Sequence, residues 1–114
     1  MRKPAATEHL RQQCVPIFAA LGDATRLSLM SKLGEEGEQS IQSLTQSTSV
    51  TRQAVTKHLH VLQRAGLVRC REQGRERHYG LAPNSLDSVR DYLDVIARHW
   101  DETLLRLKAH AERK

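Results

Sequence analysis

The sequence predicts a mainly α-helical fold with one small β-hairpin, and three observations predict it. Two short helical segments flank a serine-rich turn at residues 47–49, a β-type stretch follows, and helical apolar spacing then continues towards the C-terminus. Helix, turn, helix and hairpin in this order are the outline of a winged helix-turn-helix. We therefore expect about five helices, a two-stranded wing and a long C-terminal helix. A chain of 114 residues suits a single domain, residues 1–114.

The first helix is predicted over residues 8–21, where apolar residues recur at helical spacing after a loose tail at residues 1–7. Pro16 should kink or divide this helix because its ring nitrogen carries no hydrogen to donate. Gly22 is a suitable residue to end the helix.

A second helix follows directly, and Asp23 can cap its first turn. It continues with Leu27, Met30 and Leu33 on one side. The glycine- and glutamate-rich run at residues 34–39 then predicts a solvent loop.

The helix-turn-helix is predicted over residues 40–65. Ser40 can cap its first helix, with Ile41 and Leu44 facing inward. The second helix is the candidate recognition helix. Thr51 can cap it, and a stripe of apolar side chains marks its inner face: Val55, Leu59 and Leu62.

The other side of the recognition helix carries cationic and hydrogen-bonding side chains, the types that contact phosphates and base edges. The candidate DNA-binding residues on this helix are Thr51, Arg52, Gln53, Thr56, Lys57 and His60. Gly66 closes the helix, and the wing follows over residues 67–81, with its turn at residues 73–76. Arg75 at the tip and Arg77 beside it complete the candidate DNA-binding set.

The positive charge is concentrated in this region. Seven of the 18 Lys and Arg residues and two of the 13 acidic residues lie between Thr51 and Arg77, so this segment carries the whole net charge of +5. A localised basic patch is typical of a protein that binds a polyanion, here double-stranded DNA. A solvated charged face is the alternative interpretation.

A long last helix is predicted over residues 84–113. Its apolar residues advance in steps of three and four: Leu86, Val89, Leu93, Ile96, Trp100, Leu104, Leu107 and Ala111. A helix of roughly 40 Å extends beyond a small domain, so a symmetric partner is the simplest cover for this stripe. The alternative is that the helix folds across its own subunit's core.

Two stretches of the chain resemble the ArsR/SmtB winged-helix repressors. Residues 18–30, FAALGDATRLSLM, are similar to that family's turn and Thr-Arg-Leu pattern, with Ala24 in place of its usual proline. Residues 50–68, VTRQAVTKHLHVLQRAGLV, resemble its recognition-helix signature. Gly74-Arg75 and His78-Tyr79 resemble its wing.

The resemblance implies a homodimer whose first and last helices, residues 8–21 and 84–113, form the interface. The expected interface residues are Phe18, Leu93, Ile96, Trp100, Leu104 and Leu107. It also implies a repressor of its own or a neighbouring operon that binds an imperfect palindromic operator. Neither the residues nor the resemblance names an inducer.

The metal sites known in that family are not expected here. At the positions of the Cys-x-Cys site the chain has Ser40 and Gln42, which supply no thiolate. At the first two positions of the last-helix site it has Pro83 and Ser85. We therefore expect no metal and no cofactor.

Two residue pairs could in principle bind a metal or sense oxidants: His99 with His110, and Cys14 with Cys70. His99 and His110 have the spacing of two ligands in the last-helix site, but they lie too late in the helix, and surface histidines explain them. Cys14 and Cys70 leave open a thiol-responsive repressor, because Cys70 is flanked by Arg69 and Arg71, the electropositive setting of reactive cysteines.

No sequence feature points to an enzyme, since the chain has no phosphate-binding glycine loop and no nucleophile motif. His58 is expected to have a packing or backbone-orienting role within the helix-turn-helix. The competing class is a winged helix that binds only other proteins. We expect a cytoplasmic protein without a membrane segment, because the N-terminus lacks a signal-peptide pattern and the longest apolar stretch, residues 14–21, is too short to span a bilayer.

Overall fold

A computed structural model describes residues 3–113 of the chain. Over this range it contains five helices and a three-stranded antiparallel sheet. The helices are α1 (Lys3–Leu21), α2 (Ala24–Glu36), α3 (Ile41–Gln46), α4 (Arg52–Arg64) and α5 (Asp87–Glu112). The strands are β1 (Gln39–Ser40), β2 (Val68–Gln73) and β3 (Glu76–Leu81). The predicted fold class, a winged helix-turn-helix with a long C-terminal helix, is confirmed.

The chain falls into two compact units. One is Val15–Leu86 and contains the helix-turn-helix and the wing; the other joins the segment up to Cys14 with the segment from Asp87 onward. None of the helices within residues 3–113 is both long and apolar enough to cross a membrane.

The core of the Val15–Leu86 unit is built from α2, α3, α4 and the hairpin. Its fully buried large side chains are Leu33, Leu44, Val55, Leu59, Leu62, Leu67 and Tyr79. Each buried aliphatic side chain contributes about 1.5–3 kcal/mol relative to an exposed one. Packing must hold α3 in place, because it has only six residues and a helix that short is not stable alone.

Helix α1 departs from the prediction in two ways. It is helical from Lys3, so the predicted loose tail is wrong for residues 3–7; Met1 and Arg2 lie outside the described residues. Good helix formers such as Ala6 favour this early start. The helix also continues through Pro16, so Pro16 does not divide it, since only one backbone hydrogen bond is lost and Ile17 beyond it is buried; a kink at Pro16 stays a prediction.

Helix α2 is longer than predicted and faces the core differently. It ends at Glu36, so the predicted loop at residues 34–39 is wrong for its first three residues, and the chain turns at Gly37 with φ +81°. Leu29 and Leu33 are the buried pair, whereas Leu27 is half exposed. The prediction had placed Leu27 on the same side as Leu33, but the i,i+4 pair is the one that faces the core.

The sheet has a short third strand that the sequence did not predict. Strand β1 pairs with β3, which lies between β1 and β2, with Gln39 opposite Tyr79 and Ser40 opposite His78. The Ser40 hydroxyl also accepts a hydrogen bond from the Ser43 backbone N–H at 3.0 Å, so it caps α3 as predicted. A two-residue strand has no periodicity and therefore gives no sequence signal.

The second unit is dominated by α5, which has 26 residues and is about 39 Å long at 1.5 Å per residue. It begins at Asp87, three residues after the predicted start, because Asn84 adopts a left-handed φ of +61° and residues 83–86 form a turn. Val89 is its buried residue, and the buried Cys14 thiol donates a hydrogen bond to the Ser88 carbonyl at 3.3 Å.

Candidate nucleic-acid interface

The candidate recognition helix α4 is fixed at both ends by local hydrogen bonds. The Thr51 hydroxyl accepts from the Ala54 backbone N–H at 3.1 Å, as predicted for the cap. At the other end Gly66 has φ +80°, which lets the Leu67 N–H reach the Leu62 carbonyl at 2.9 Å. Local hydrogen bonds at Thr51 and Gly66 therefore determine where α4 starts and ends.

The turn before α4 is held by two hydroxyl groups. The Ser47 hydroxyl donates to the Leu44 carbonyl at 2.8 Å, and the Thr48 hydroxyl accepts from the Val50 N–H at 3.3 Å. These bonds satisfy backbone groups that the short turn would otherwise leave open.

Four of the predicted DNA-binding residues on α4 are exposed to solvent: Arg52, Gln53, Lys57 and His60. Across α4 and the other described elements, their side chains engage in no hydrogen bond or ion pair that would have to break before they contact a ligand. The opposite face of the helix is completely buried through Val55, Leu59 and Leu62. A helix anchored on one side thus presents cations and an amide on the other.

The two threonines of the predicted set are engaged in the helix itself. Thr51 serves as the cap, and the Thr56 hydroxyl donates to the Arg52 carbonyl at 3.0 Å. Each hydroxyl keeps some remaining hydrogen-bonding capacity, because a hydroxyl has one donor and two acceptor sites.

The tip of the wing is a two-residue turn formed by Gly74 and Arg75. Gly74 has φ +65°, the conformation that the first position of a tight hairpin turn requires. Arg75 is exposed at this tip, whereas the guanidinium of Arg77 lies 3.7 Å from the Glu72 carboxylate on the opposite strand. The charge of Arg77 is partly compensated by Glu72, whereas Arg75 has no ion-pair partner among residues 3–113.

Farther from the tip, Glu38 neutralises one arginine of the wing. Arg71 donates to both carboxylate oxygens of Glu38, and this pairing holds the pKa of Glu38 below its usual value. His78 lies 3.7 Å from the same carboxylate. Arg71 is therefore less available to an anionic ligand than Arg69, which is exposed on the same strand.

Tyr79 joins the wing to the core. Its side chain is completely buried, and within residues 3–113 its hydroxyl has no hydrogen-bond partner. Burial raises the pKa of this hydroxyl; the Cys70 thiol on the paired strand raises it a little further, and the Arg77 guanidinium acts in the opposite direction. Tyr79 thus stays neutral and acts as an anchor between the sheet and the helices.

From the sequence, Arg26 had no expected role and His58 had a packing or backbone-orienting one; the structure brings the two together. A guanidinium nitrogen of Arg26 lies 3.1 Å from Nδ1 of His58, in the middle of α4. Both residues are in the stretches that resemble the family, but their separation of 32 positions gives no local signal of the contact.

The predicted interface residues are mostly exposed. Leu93, Trp100, Leu104 and Leu107 on α5 range from 50% to 68% exposed, and Ile96 is half-buried. In the other unit, Phe18 is 39% exposed. A row of large apolar side chains in solvent on one helix is a marker of an interaction surface.

The residues at the family's metal positions do not fit a soft metal or arsenic. The Ser40 hydroxyl is engaged as the cap of α3, Gln42 offers only an amide, and Pro83 and Ser85 lie in a turn. Across the described range, no cluster of three or more His, Cys, Asp or Glu side chains could hold a metal ion.

Comparison with known proteins gives consistent similarities. A family model described as a helix-turn-helix domain matches residues 21–71. A curated relative, the transcriptional repressor SmtB homolog of Synechocystis sp., is 38% identical over 92 residues, which cover 81% of this chain and 67% of the relative.

Two solved structures are similar over most of the chain. An ArsR-like transcriptional regulator from Rhodococcus sp. RHA1 is 37% identical, with a TM-score of 0.73, and the match covers 86% of this chain and 92% of that one. The homodimeric winged helix-turn-helix DNA-binding domain of a possible ArsR-family regulator from Mycobacterium bovis is 25% identical. Its TM-score is 0.63, and the match covers 80% of this chain and 83% of that one.

Proposed function

This chain belongs to the ArsR/SmtB family of winged helix-turn-helix transcriptional regulators, and we propose that it works as a homodimeric repressor that binds an operator in double-stranded DNA. The observation that carries the proposal is the exposed face of α4. Arg52, Gln53 and Lys57 lie in the first half of a helix that is capped, anchored by buried leucines and followed by a basic hairpin. This is the arrangement in which a helix enters the major groove.

In this proposal α4 contacts the bases, and the tip of the wing contacts the phosphate backbone or the minor groove. Near the start of α4, Gln53 is suited to a bidentate contact with adenine, and Arg52 or Lys57 to guanine. Arg75 is exposed at the wing tip, and no carboxylate in the described part of the chain pairs with it, so it is suited to a phosphate or to the minor groove. Thr51, Thr56, His60 and Arg77 contribute secondary contacts.

A homodimer follows from the apolar surface of α5. The solvent-facing row that ends in Trp100, Leu104 and Leu107 would be costly to leave uncovered, and a second copy presents the same row. The similar domain from Mycobacterium bovis is described as homodimeric. Together with α1 and its Phe18, α5 forms the proposed contact. Two symmetric recognition helices then require half-sites about one helical turn apart, in an imperfect palindrome.

The proposed role is regulatory and not enzymatic, and it needs no metal. Its target is the promoter of its own or a neighbouring operon, which places the protein in the cytoplasm. A metal ion is not expected to control DNA release, because the side chains at the family's metal positions supply no thiolate, imidazole or carboxylate: Ser40, Gln42, Pro83 and Ser85.

The experiment that tests this function is selection of bound duplexes from a random DNA pool, followed by binding titrations at several salt concentrations. We expect an enriched sequence with two related half-sites, and an affinity for it that falls as salt rises. No enrichment, together with weak binding to every duplex, would favour the alternative of a winged helix that binds other proteins.

A further inference from the structure

A polar network connects the end of α1, the start of α2 and the middle of α4. Arg26 is its centre. Its Nε donates to the Ala20 carbonyl at 2.5 Å, and one terminal nitrogen lies 3.5 Å from the Ala19 carbonyl. The other terminal nitrogen lies 3.1 Å from Nδ1 of His58 on the candidate recognition helix. One side chain thus contacts the last turn of one helix and the ring of another.

The contact with Arg26 bears on which ring nitrogen of His58 carries the hydrogen. A guanidinium has donors only, so a hydrogen bond in this pair requires Nδ1 of His58 to accept, with the ring hydrogen on Nε2. His58 is mostly buried, with 22% of its side chain exposed, so water competes weakly for this contact.

Asp23 completes the network from the N-terminal end of α2. Its carboxylate accepts the backbone N–H of Arg26 at 2.9 Å, which is the main reason that the pKa of Asp23 lies below its usual value. The same oxygen lies 3.7 Å from Nδ1 of His58, which is too long for a hydrogen bond. Asp23 therefore holds the backbone of Arg26 while the Arg26 side chain reaches α4.

We propose that Arg26 is a positioning residue for DNA binding, and that it acts through His58 to fix the rotation of α4 about its own axis. The buried face of α4 consists of Val55, Leu59 and Leu62, and apolar contacts are non-directional, so they tolerate small rotations. A hydrogen bond from outside the helix is directional and sets one rotation. The orientation of α4 decides which base edges Gln53 and Lys57 can reach.

This inference rests on the proposed DNA binding, and the test separates the two. The probes are a duplex selected by the unmutated protein from a random pool and a random duplex of equal length. If the unmutated protein selects no duplex, the proposed function fails. If it selects one and the variants below bind both duplexes as it does, only the role of Arg26 fails.

The informative variants remove or keep the contact at His58. His58→Leu removes the acceptor, whereas His58→Asn keeps an oxygen near the position of Nδ1. We expect His58→Leu to weaken binding to the selected duplex on the order of tenfold, which corresponds to about 1.4 kcal/mol. Binding to the random duplex should change little, and His58→Asn should restore most of the preference.

Two Arg26 variants and one matched control complete the set. Arg26→Met should show the same loss of preference, and adding His58→Leu to it should cause no further loss, because the contact is already gone. Arg26→Lys should recover little, since one ammonium cannot serve both the α1 carbonyls and the ring. Lys32→Met removes a cation of α2 that pairs with Glu36 at 3.2 Å, outside both the proposed dimer contact and the DNA-binding face, and should leave both affinities unchanged. Additive losses, or equal losses on both duplexes, would overturn the proposal.

A measurement without DNA guards against variants that do not fold. Nitrogen chemical shifts of the His58 ring in the unmutated protein should show a hydrogen on Nε2 and a bare Nδ1. A hydrogen on Nδ1 would show that Arg26 does not donate to this ring, and the proposal would then be wrong.

Discussion

The substitution Trp100→Asp should dissociate the proposed dimer. Trp100 is 68% exposed on α5. A tryptophan side chain buries up to about 250 Å², so covering this exposed part would remove about 170 Å² from water, worth about 4 kcal/mol per protomer at about 25 cal/mol per Å². That figure is an upper bound, because burial at a helix–helix contact is never complete.

Losing even half of this free energy of burial would be enough to dissociate the dimer. A loss of about 2 kcal/mol in each protomer raises the dissociation constant of the dimer roughly a thousandfold. The new carboxylate adds a further cost, since it would lose its hydration without a partner. Trp100→Phe keeps most of the apolar area and should remain dimeric.

Sedimentation velocity over a range of protein concentrations measures this directly. The matched control is Ala109→Asp, because nine residues at about 100° each place Ala109 on the opposite face of α5, where it is exposed. We expect the unmutated chain and Ala109→Asp to be dimers at micromolar concentration and Trp100→Asp to be a monomer. A monomeric unmutated chain, or a dimer that survives Trp100→Asp unchanged, would refute the reasoning.

Three further outcomes follow from the structure. Tyr79→Phe removes a buried hydroxyl that lacks a partner in the described part of the chain, so thermal unfolding should show equal or higher stability, by up to about 1 kcal/mol; a clear loss would reveal a hydrogen bond in solution. The pairing with Arg71 lowers the pKa of Glu38, so its contribution to stability is present above the ordinary value of 4.5 and is lost as the pH falls through the lowered one. The difference in Tm between the unmutated protein and Glu38→Gln should therefore shrink from about pH 6 to about pH 3, and a constant difference would contradict the pairing. Finally, affinity for the selected duplex should differ by no more than a few-fold between chelated and zinc-loaded protein, and release of DNA by stoichiometric zinc would contradict the proposed metal independence.

The features that were predictable from the sequence are those with a local cause. The caps at Asp23, Ser40 and Thr51 and the turn at Gly66 each depend on residues within a few positions, and the structure has all four. The stripe on α4 was predictable because its three buried residues follow one helical period.

The features that the sequence did not predict depend on contacts between distant residues, or on a local cost that the rest of an element outweighs. Strand β1 forms only because β3 offers it an edge, and α1 continues through Pro16 because the rest of the helix outweighs one missing hydrogen bond. The contact between Arg26 and His58 joins residues far apart in sequence, so no spacing rule indicates it. Arg77 kept its predicted place on the wing, but its pairing with Glu72 depends on the register of the hairpin.

The most direct test of the proposed function compares Gln53→Ala with Arg75→Ala on the selected duplex and on a random duplex at several salt concentrations. Gln53→Ala should cost roughly 1–3 kcal/mol on the selected duplex alone and relax the preference at one base pair. Arg75→Ala should weaken binding to both duplexes alike and flatten the salt dependence by about 0.9 in log–log slope for each lost phosphate contact. If Gln53→Ala instead lowers both affinities equally while Arg75→Ala changes the base preference, the wing reads the sequence and α4 only grips the backbone, which contradicts the assignment proposed for the two elements.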